Sequence, residues 1–370
     1  MIPQNDFKRL WAETGPEVLR AVETVGASGW YILGERVAAF ERDLAPHFGT
    51  AHAIGVASGL DAIELSLRAL GCGPGDFVLT SPISAFATPL AILKTGAIPV
   101  FADCDAGGLI DFDDCRRILS ARPEIRYFAP VHLFGHCLDL SELRSLRDRF
   151  NVAVVEDCAQ SIGASSGSAR CGSIGDAAAT SFYPTKNLGA LGDGGAALTS
   201  SVDLDRKLRQ LRDYGQTSKY RHDVCGYNSR LDELHAAILQ SVFLPRLAKW
   251  TEARRCAASA YLENIRNSAI QIPAAPPASE SVWHLFPVLV DAARKREAID
   301  YFKSKGVAVG EHYPLALIEQ KAMEPHLEKS GGSKCERARS FCHSEISLPI
   351  HAYLSDPEIQ QVIDAANGWR

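Results

Sequence analysis

The stretch "VAVVEDCAQSIGA", Val152 to Ala164, runs from a valine-rich segment of strand length into two successive carboxylates, Glu156 and Asp157. Successive side chains of a strand point to opposite faces, so one carboxylate sits at the carboxyl edge of a sheet and the other behind it. A carboxylate at such depth is costly unless it meets a cation or a proton-bearing partner, and the protonated ring nitrogen of a heteroaromatic ligand is a chemically sensible match. The alternative is a helix N-cap role for Asp157, and this stretch alone leaves both open.

Similar runs recur on either side: "FVLTS" at 77–81, "AIPVF" at 97–101, "YFAPV" at 127–131, "ATSFY" at 179–183 and "GAALT" at 195–199. Between and before them, "AFERDLAPHF", "DAIELSLRAL", "TPLAILKTG" and "SELRSLRDRF" place apolar residues at helical spacing. Alternation of this kind predicts an α/β fold with crossover units and a largely parallel central sheet. Ligands of such sheets bind beyond the carboxyl ends of the strands. From about residue 231 the pattern changes to a long helix, "RLDELHAAILQSVFL", which Pro245 is expected to stop. A second helical pattern, the proline-rich "IQIPAAPPASES" and a smaller α+β unit follow, so the chain reads as a large domain over 1–245 and a small C-terminal domain over 246–370.

The composition is that of an ordinary soluble protein: 370 residues, 46% hydrophobic, 22% charged, net charge −5. An acidic balance without a Lys/Arg block interleaved with aromatics argues against nucleic acid as a partner. No apolar run is long enough to span a bilayer, and no membrane partner is expected. Ten cysteines without a C-x-x-C pair, behind an N-terminus lacking an apolar signal core, point to a reduced, cytoplasmic protein.

The other chemically suggestive residues have ordinary readings beside them. Ser58 and Gly59 open a helix, where free backbone amides and the helix dipole attract a phosphate, although a serine cap is also how many helices begin. "SFYPTKNLGALGDGG", Ser181 to Gly195, is glycine-rich, but its lysine precedes the glycines and a P-loop reading fails. Most lysines are solvated. Lys186, however, follows a buried strand beside Phe182 and Tyr183, and desolvation there would free an amine to form a Schiff base. His132 and His136 in "VHLFGH" trail a strand around Gly135 and lack a third ligand in a zinc pattern, so no metal site is expected. No G-x-S-x-G elbow is present. Helix-terminus amides, a carboxylate after one strand and a lysine after another are together what a pyridoxal 5'-phosphate site requires.

The order "SGLDAI", "PVHLFG", "EDCAQSIGA", "SFYPTKNLGALGDGG", "RDYG", "KYRH" and "GYNSRLDELHAAIL" resembles the DegT/DnrJ/StrS sugar aminotransferases over nearly the whole chain. The resemblance implies the aspartate-aminotransferase fold, pyridoxal 5'-phosphate as cofactor, a homodimer with shared sites, and transfer of an amino group from L-glutamate to a nucleotide-linked keto-sugar. By position it makes Lys186 the cofactor-bearing, proton-shuttling lysine and Asp157 the partner of the pyridinium nitrogen. Gln160 falls where the cofactor's phenolic oxygen is bound, and Ser181, Ser58, Gly59 and Leu60 fall around its phosphate. Asn228 matches a residue that reaches the phosphate from the other subunit. Tyr183, Lys219, Tyr220, Arg221 and His312 lie in motif loops suited to the sugar nucleotide, with Lys219 and Arg221 suited to its diphosphate.

Within the family the chain looks most like enzymes that aminate carbon 3 of a dTDP-linked 3-keto-6-deoxyhexose, since Asp193 stands where the carbon-4 group carries glutamate. A UDP-linked or 4-keto sugar, and a cofactor-binding regulatory protein on the same fold, are the alternatives. Two departures accompany the resemblance. Leu60 replaces a threonine of the phosphate turn, and Ala85 replaces an aromatic that stacks on the cofactor ring, leaving Phe86, one residue on, as the nearest substitute.

Overall fold

A computed structural model describes residues 1–370. The central sheet has seven strands: β1 (His52–Val56), β2 (Phe77–Thr80), β3 (Ile98–Phe101), β4 (Tyr127–Ala129), β5 (Ala153–Asp157), β6 (Ala177–Ser181) and β7 (Gly195–Thr199). Their spatial order is β1-β7-β6-β5-β4-β2-β3. All run parallel except β7, which is antiparallel to β1 and β6. The reversal has a local cause. Residues 182–194, which carry Lys186, join β6 to β7 as a loop without a crossover helix, so the chain returns antiparallel beside the strand it left.

The α/β class is as the alternation predicts. The sequence reading overlooked β1 and three helices, Phe7–Ser28, Phe112–Ala121 and Val202–Arg212. Phe7–Ser28 is interrupted by Gly15, Pro16 and Gly26, which disguise a helix in sequence; its N-cap is Asp6, whose side chain accepts from the Arg9 amide. Pro245 does not stop its helix. Glu233–Ile238 passes through one π turn at 239–243 and one 3-10 turn at 244–246 into Leu247–Asn264. Proline is tolerated there because it occupies a first-turn position, where an N–H is not required.

A separate apolar cluster holds Tyr261, Phe286, Phe302, Val307 and Trp369 around the antiparallel pair β8 (Phe286–Leu289) and β9 (Glu345–Leu348). Ile2 packs into this cluster and bridges to Val307, so the first residues run with the last hundred. No helix is long and apolar enough to cross a membrane, and all ten cysteines are free.

Candidate active site

A cavity of about 270 Å³ opens at the carboxyl end of β5 and β6. One end of it is the N-terminus of helix Gly59–Ala69. Ser58 caps this helix by accepting from the Asp61 amide at 3.1 Å, which leaves the Gly59 and Leu60 amides without partners in the protein. Glycine is required at two points of the turn. A Cβ on Gly59 would stand 2.6 Å from Cβ of Ser181, and one on Gly195 would stand 2.4 Å from the carbonyl of Ser58. The helix end is thereby pressed against Ser181 on β6, and amides and hydroxyls converge as a phosphate cradle.

Across the cavity, β5 delivers Asp157, 4% exposed. Its Oδ2 accepts from the Thr88 hydroxyl at 2.8 Å, and Thr88 is in turn held by Ser84 at 2.8 Å. Oδ1 accepts from the Ala159 amide at 3.1 Å. Glu156, its chain neighbour, points the other way. It accepts from His132 Nε2 at 2.8 Å and from the amides of Gly172, Ile174 and Gly175. Burial alone would raise its pKa, but His132 and these amides outweigh burial and hold it below the usual carboxylate range. His132 Nδ1 accepts from the Leu138 amide, so both ring nitrogens are engaged, and His136 is held separately by Ser281.

Gln160 lines the cavity with its amide fixed at both ends. Oε1 accepts from the Phe134 amide at 2.7 Å, and Nε2 donates to the Tyr313 hydroxyl at 2.5 Å. Lys186 and Tyr183 complete the wall together with Asp193. Burial lowers the Lys186 amine to about 8, against the opposing pull of Asp157. The lysine loop is anchored by Asn187, whose Nδ2 donates to the Val282 carbonyl and whose Oδ1 meets His284 Nδ1 at 3.0 Å.

Of the residues expected around the cofactor, Ser58, Gly59, Leu60, Asp157, Gln160, Ser181 and Lys186 meet in this one cavity. Phe86 does not. Ala85 and Ala87 line the cavity, whereas Phe86, half-buried between them at the start of helix Ala87–Thr95, packs against the main core outside the lining. Asn228 lies outside the lining, bridged to Asp213. Lys219, Tyr220 and Arg221 stand on the exposed hairpin formed by Gln216–Ser218 and Arg221–His222, away from the cavity. His312 is also exposed and outside the lining, though near enough to Lys186 for their charges to oppose one another. Thr88, Ser84 and Ala159 were not singled out from sequence. The available signal was two hydroxyls, Ser84 and Thr88, one helical turn apart in an otherwise apolar segment.

Unpartnered amides, a fixed carboxylate and a partly desolvated lysine at opposite ends of a cavity fit pyridoxal 5'-phosphate: phosphate at Ser58–Leu60 and Ser181, ring nitrogen at Asp157, aldehyde at Lys186. The site and fold define an aminotransferase. Residues 13–367 match the model of the DegT/DnrJ/EryC1/StrS aminotransferase family, and the chain belongs to that family. It is 38% identical to a dTDP-3-amino-3,4,6-trideoxy-alpha-D-glucose transaminase of Streptomyces venezuelae, over all of this chain and 96% of that one. It is 39% identical to a dTDP-3-amino-3,6-dideoxy-alpha-D-galactopyranose transaminase of Aneurinibacillus thermoaerophilus, over all of this chain and 99% of that one. The crystal structure of S. venezuelae DesV in complex with a ketimine intermediate superposes with a TM-score of 0.93 at 38% identity, covering all of this chain and 98% of that one.

Proposed function

We propose that this aminotransferase uses pyridoxal 5'-phosphate to move an amino group from L-glutamate to a nucleotide-linked 3-keto-6-deoxyhexose, with dTDP as the nucleotide. The observation that carries the reading is the placement of Lys186 and Asp157 on one cavity that ends in the free amides of Gly59 and Leu60. The printed activities of the two transaminases, both dTDP-3-amino sugar enzymes, favour the sugar class.

When bound, the cofactor supplies an electron sink that makes the α-proton of an amino acid removable. The chain's residues do the rest. Asp157, held by Thr88 and Ala159, would meet the ring nitrogen and keep it protonated. Lys186, with its amine near neutrality, would be the base that takes the donor's α-proton and the acid that delivers it again on the far side of the nitrogen, and would act in reverse on the keto-sugar. Gln160 would offer its second Nε2 hydrogen to the phenolic oxygen, and the Ser58 turn with Ser181 would hold the phosphate. In a cytoplasmic homodimer, Asn228 of the partner subunit would close the phosphate end, and the exposed hairpin with Lys219, Tyr220 and Arg221 would meet the nucleotide diphosphate. Tyr183 and His312 would stand near the sugar, and a division near residue 245 would separate a cofactor-binding domain from a smaller one.

Purified enzyme given cofactor, L-glutamate and dTDP-, UDP- or GDP-linked 3-keto and 4-keto sugars tests this, with product mass as readout. Conversion is expected for the dTDP-linked 3-keto sugar. Preference for a UDP-linked or 4-keto sugar would replace the substrate, and no turnover with any sugar, despite bound cofactor, would favour a regulatory protein.

A further inference from the structure

A second cavity, of about 50 Å³, lies against the lysine loop. Lys186 is the one residue lining both it and the cofactor cavity. Its remaining walls come from the start of the first helix, from Trp250 and Arg254 of helix Leu247–Asn264, and from His351 to Tyr353 beyond β9. The volume suits about three or four waters, or a carboxylate with part of its chain.

Three buried polar atoms without any partner belong to this wall: Trp250 Nε1, His351 Nε2 and the Tyr353 hydroxyl. Trp250 is 7% and His351 3% exposed. All three can donate. The indole N–H stands beside the Tyr353 hydroxyl, and His351 Nδ1 accepts from the Tyr353 amide at 3.2 Å, which puts the ring proton on Nε2. Beside them is Arg254, 6% exposed, with no carboxylate partner. It donates only through Nη1, to the carbonyls of Trp283, His284 and Ile350. Burial lowers its pKa to about 10. The one carboxylate on the wall, Asp6, is committed to Arg9 through the amide at 2.9 Å and Nε at 3.3 Å. Glu13, which faces Tyr353, is paired with Lys249 and Arg246.

A buried cation without a counter-ion, beside a buried imidazole N–H without an acceptor, is a costly arrangement in isolation and a favourable one around an anion. We propose that this cavity receives a carboxylate of the amino donor, held by Arg254, Trp250, His351 and Tyr353 while its amino group reacts on the Lys186 side. The inference rests on the transamination reading and assigns it a donor subsite. A neutral keto-sugar has no use for such a site, so the two half-reactions should depend on it differently.

Tyr353→Phe removes one donor and little volume, whereas Trp250→Phe removes its donor and enlarges the cavity. In the holoenzyme, kcat/KM for L-glutamate should fall about tenfold in each, chiefly through KM. The value for the keto-sugar should stay within about twofold, because ping-pong kinetics reports the half-reactions separately. Glutarate, a dicarboxylate without an amino group, should bind the wild-type holoenzyme in calorimetry and compete with glutamate, and Arg254→Gln should abolish its binding. The proposal is overturned if both aromatic variants keep wild-type efficiency with glutamate, or if glutarate neither binds nor competes. Wild-type enzyme that fails to react with glutamate overturns the reaction instead, and the glutarate titration still decides what the cavity binds.

Discussion

Glu156 and Asp157 are consecutive residues of one strand, both almost fully buried, and they have opposite fates. Glu156 accepts four hydrogen bonds, from His132 and three backbone amides, which saturate both its oxygens. Asp157 accepts one bond at each oxygen and faces a cavity. A carboxylate can accept at about four lone-pair sites, so the first is complete inside the protein and the second has capacity left for a ligand. The difference separates a carboxylate used up inside the protein from one with acceptor sites turned to the cavity.

Neutralising each residue should break the pair apart. Asp157→Asn is expected to lower kcat by at least about a hundredfold with little change in Tm, since it removes the charge that sustains the protonated ring. Glu156→Gln should do the converse, costing about 3 kcal/mol of stability in denaturant melts while kcat of the folded enzyme is retained. Equal losses of activity in both would erase the distinction.

The pH dependence of Lys186 sharpens the comparison. A lysine lowered to about 8 is increasingly protonated below that pH, so the rate at which cofactor-free protein captures pyridoxal 5'-phosphate should rise about tenfold per unit up to pH near 8 and then level. Asp157 raises this pKa, so Asp157→Asn should move the inflection down, and Glu156→Gln should leave it in place. Stopped-flow absorbance of the cofactor reads both. Thr88→Val comes next: it frees Asp157 Oδ2 from its hydroxyl partner and should lower kcat about tenfold without destroying the fold. Smallest is Ala85→Phe. An aromatic in place of the Ala85 methyl group should slow cofactor dissociation several-fold, roughly 1 kcal/mol of stacking.

The valine run ending in two acids was legible as a buried strand whose alternation turns its two carboxylates to opposite faces. Which acid faces the cavity came from the family resemblance and not from the stretch itself, since it depends on the register of β5 against Val131 and β6, a pairing between distant segments. Lys186 stood out through its neighbours, whereas Thr88 was hidden in a helix pattern whose polar residue is explained only by the sheet beneath it. Phe86 lies off the cavity wall because one position at a helix start is about 100° of rotation, which packs it against the core between two cavity-lining alanines. Arg254 gave no local signal, because an unpaired arginine is recognised only when every possible partner has been placed.

The most direct test of the central claim is to load the purified enzyme with pyridoxal 5'-phosphate, reduce it with borohydride and map the modified peptide by mass spectrometry. The account predicts one stable phosphopyridoxyl group per chain, on Lys186, and none on the Lys186→Ala variant. A modification on another lysine, or none despite bound cofactor, would contradict it.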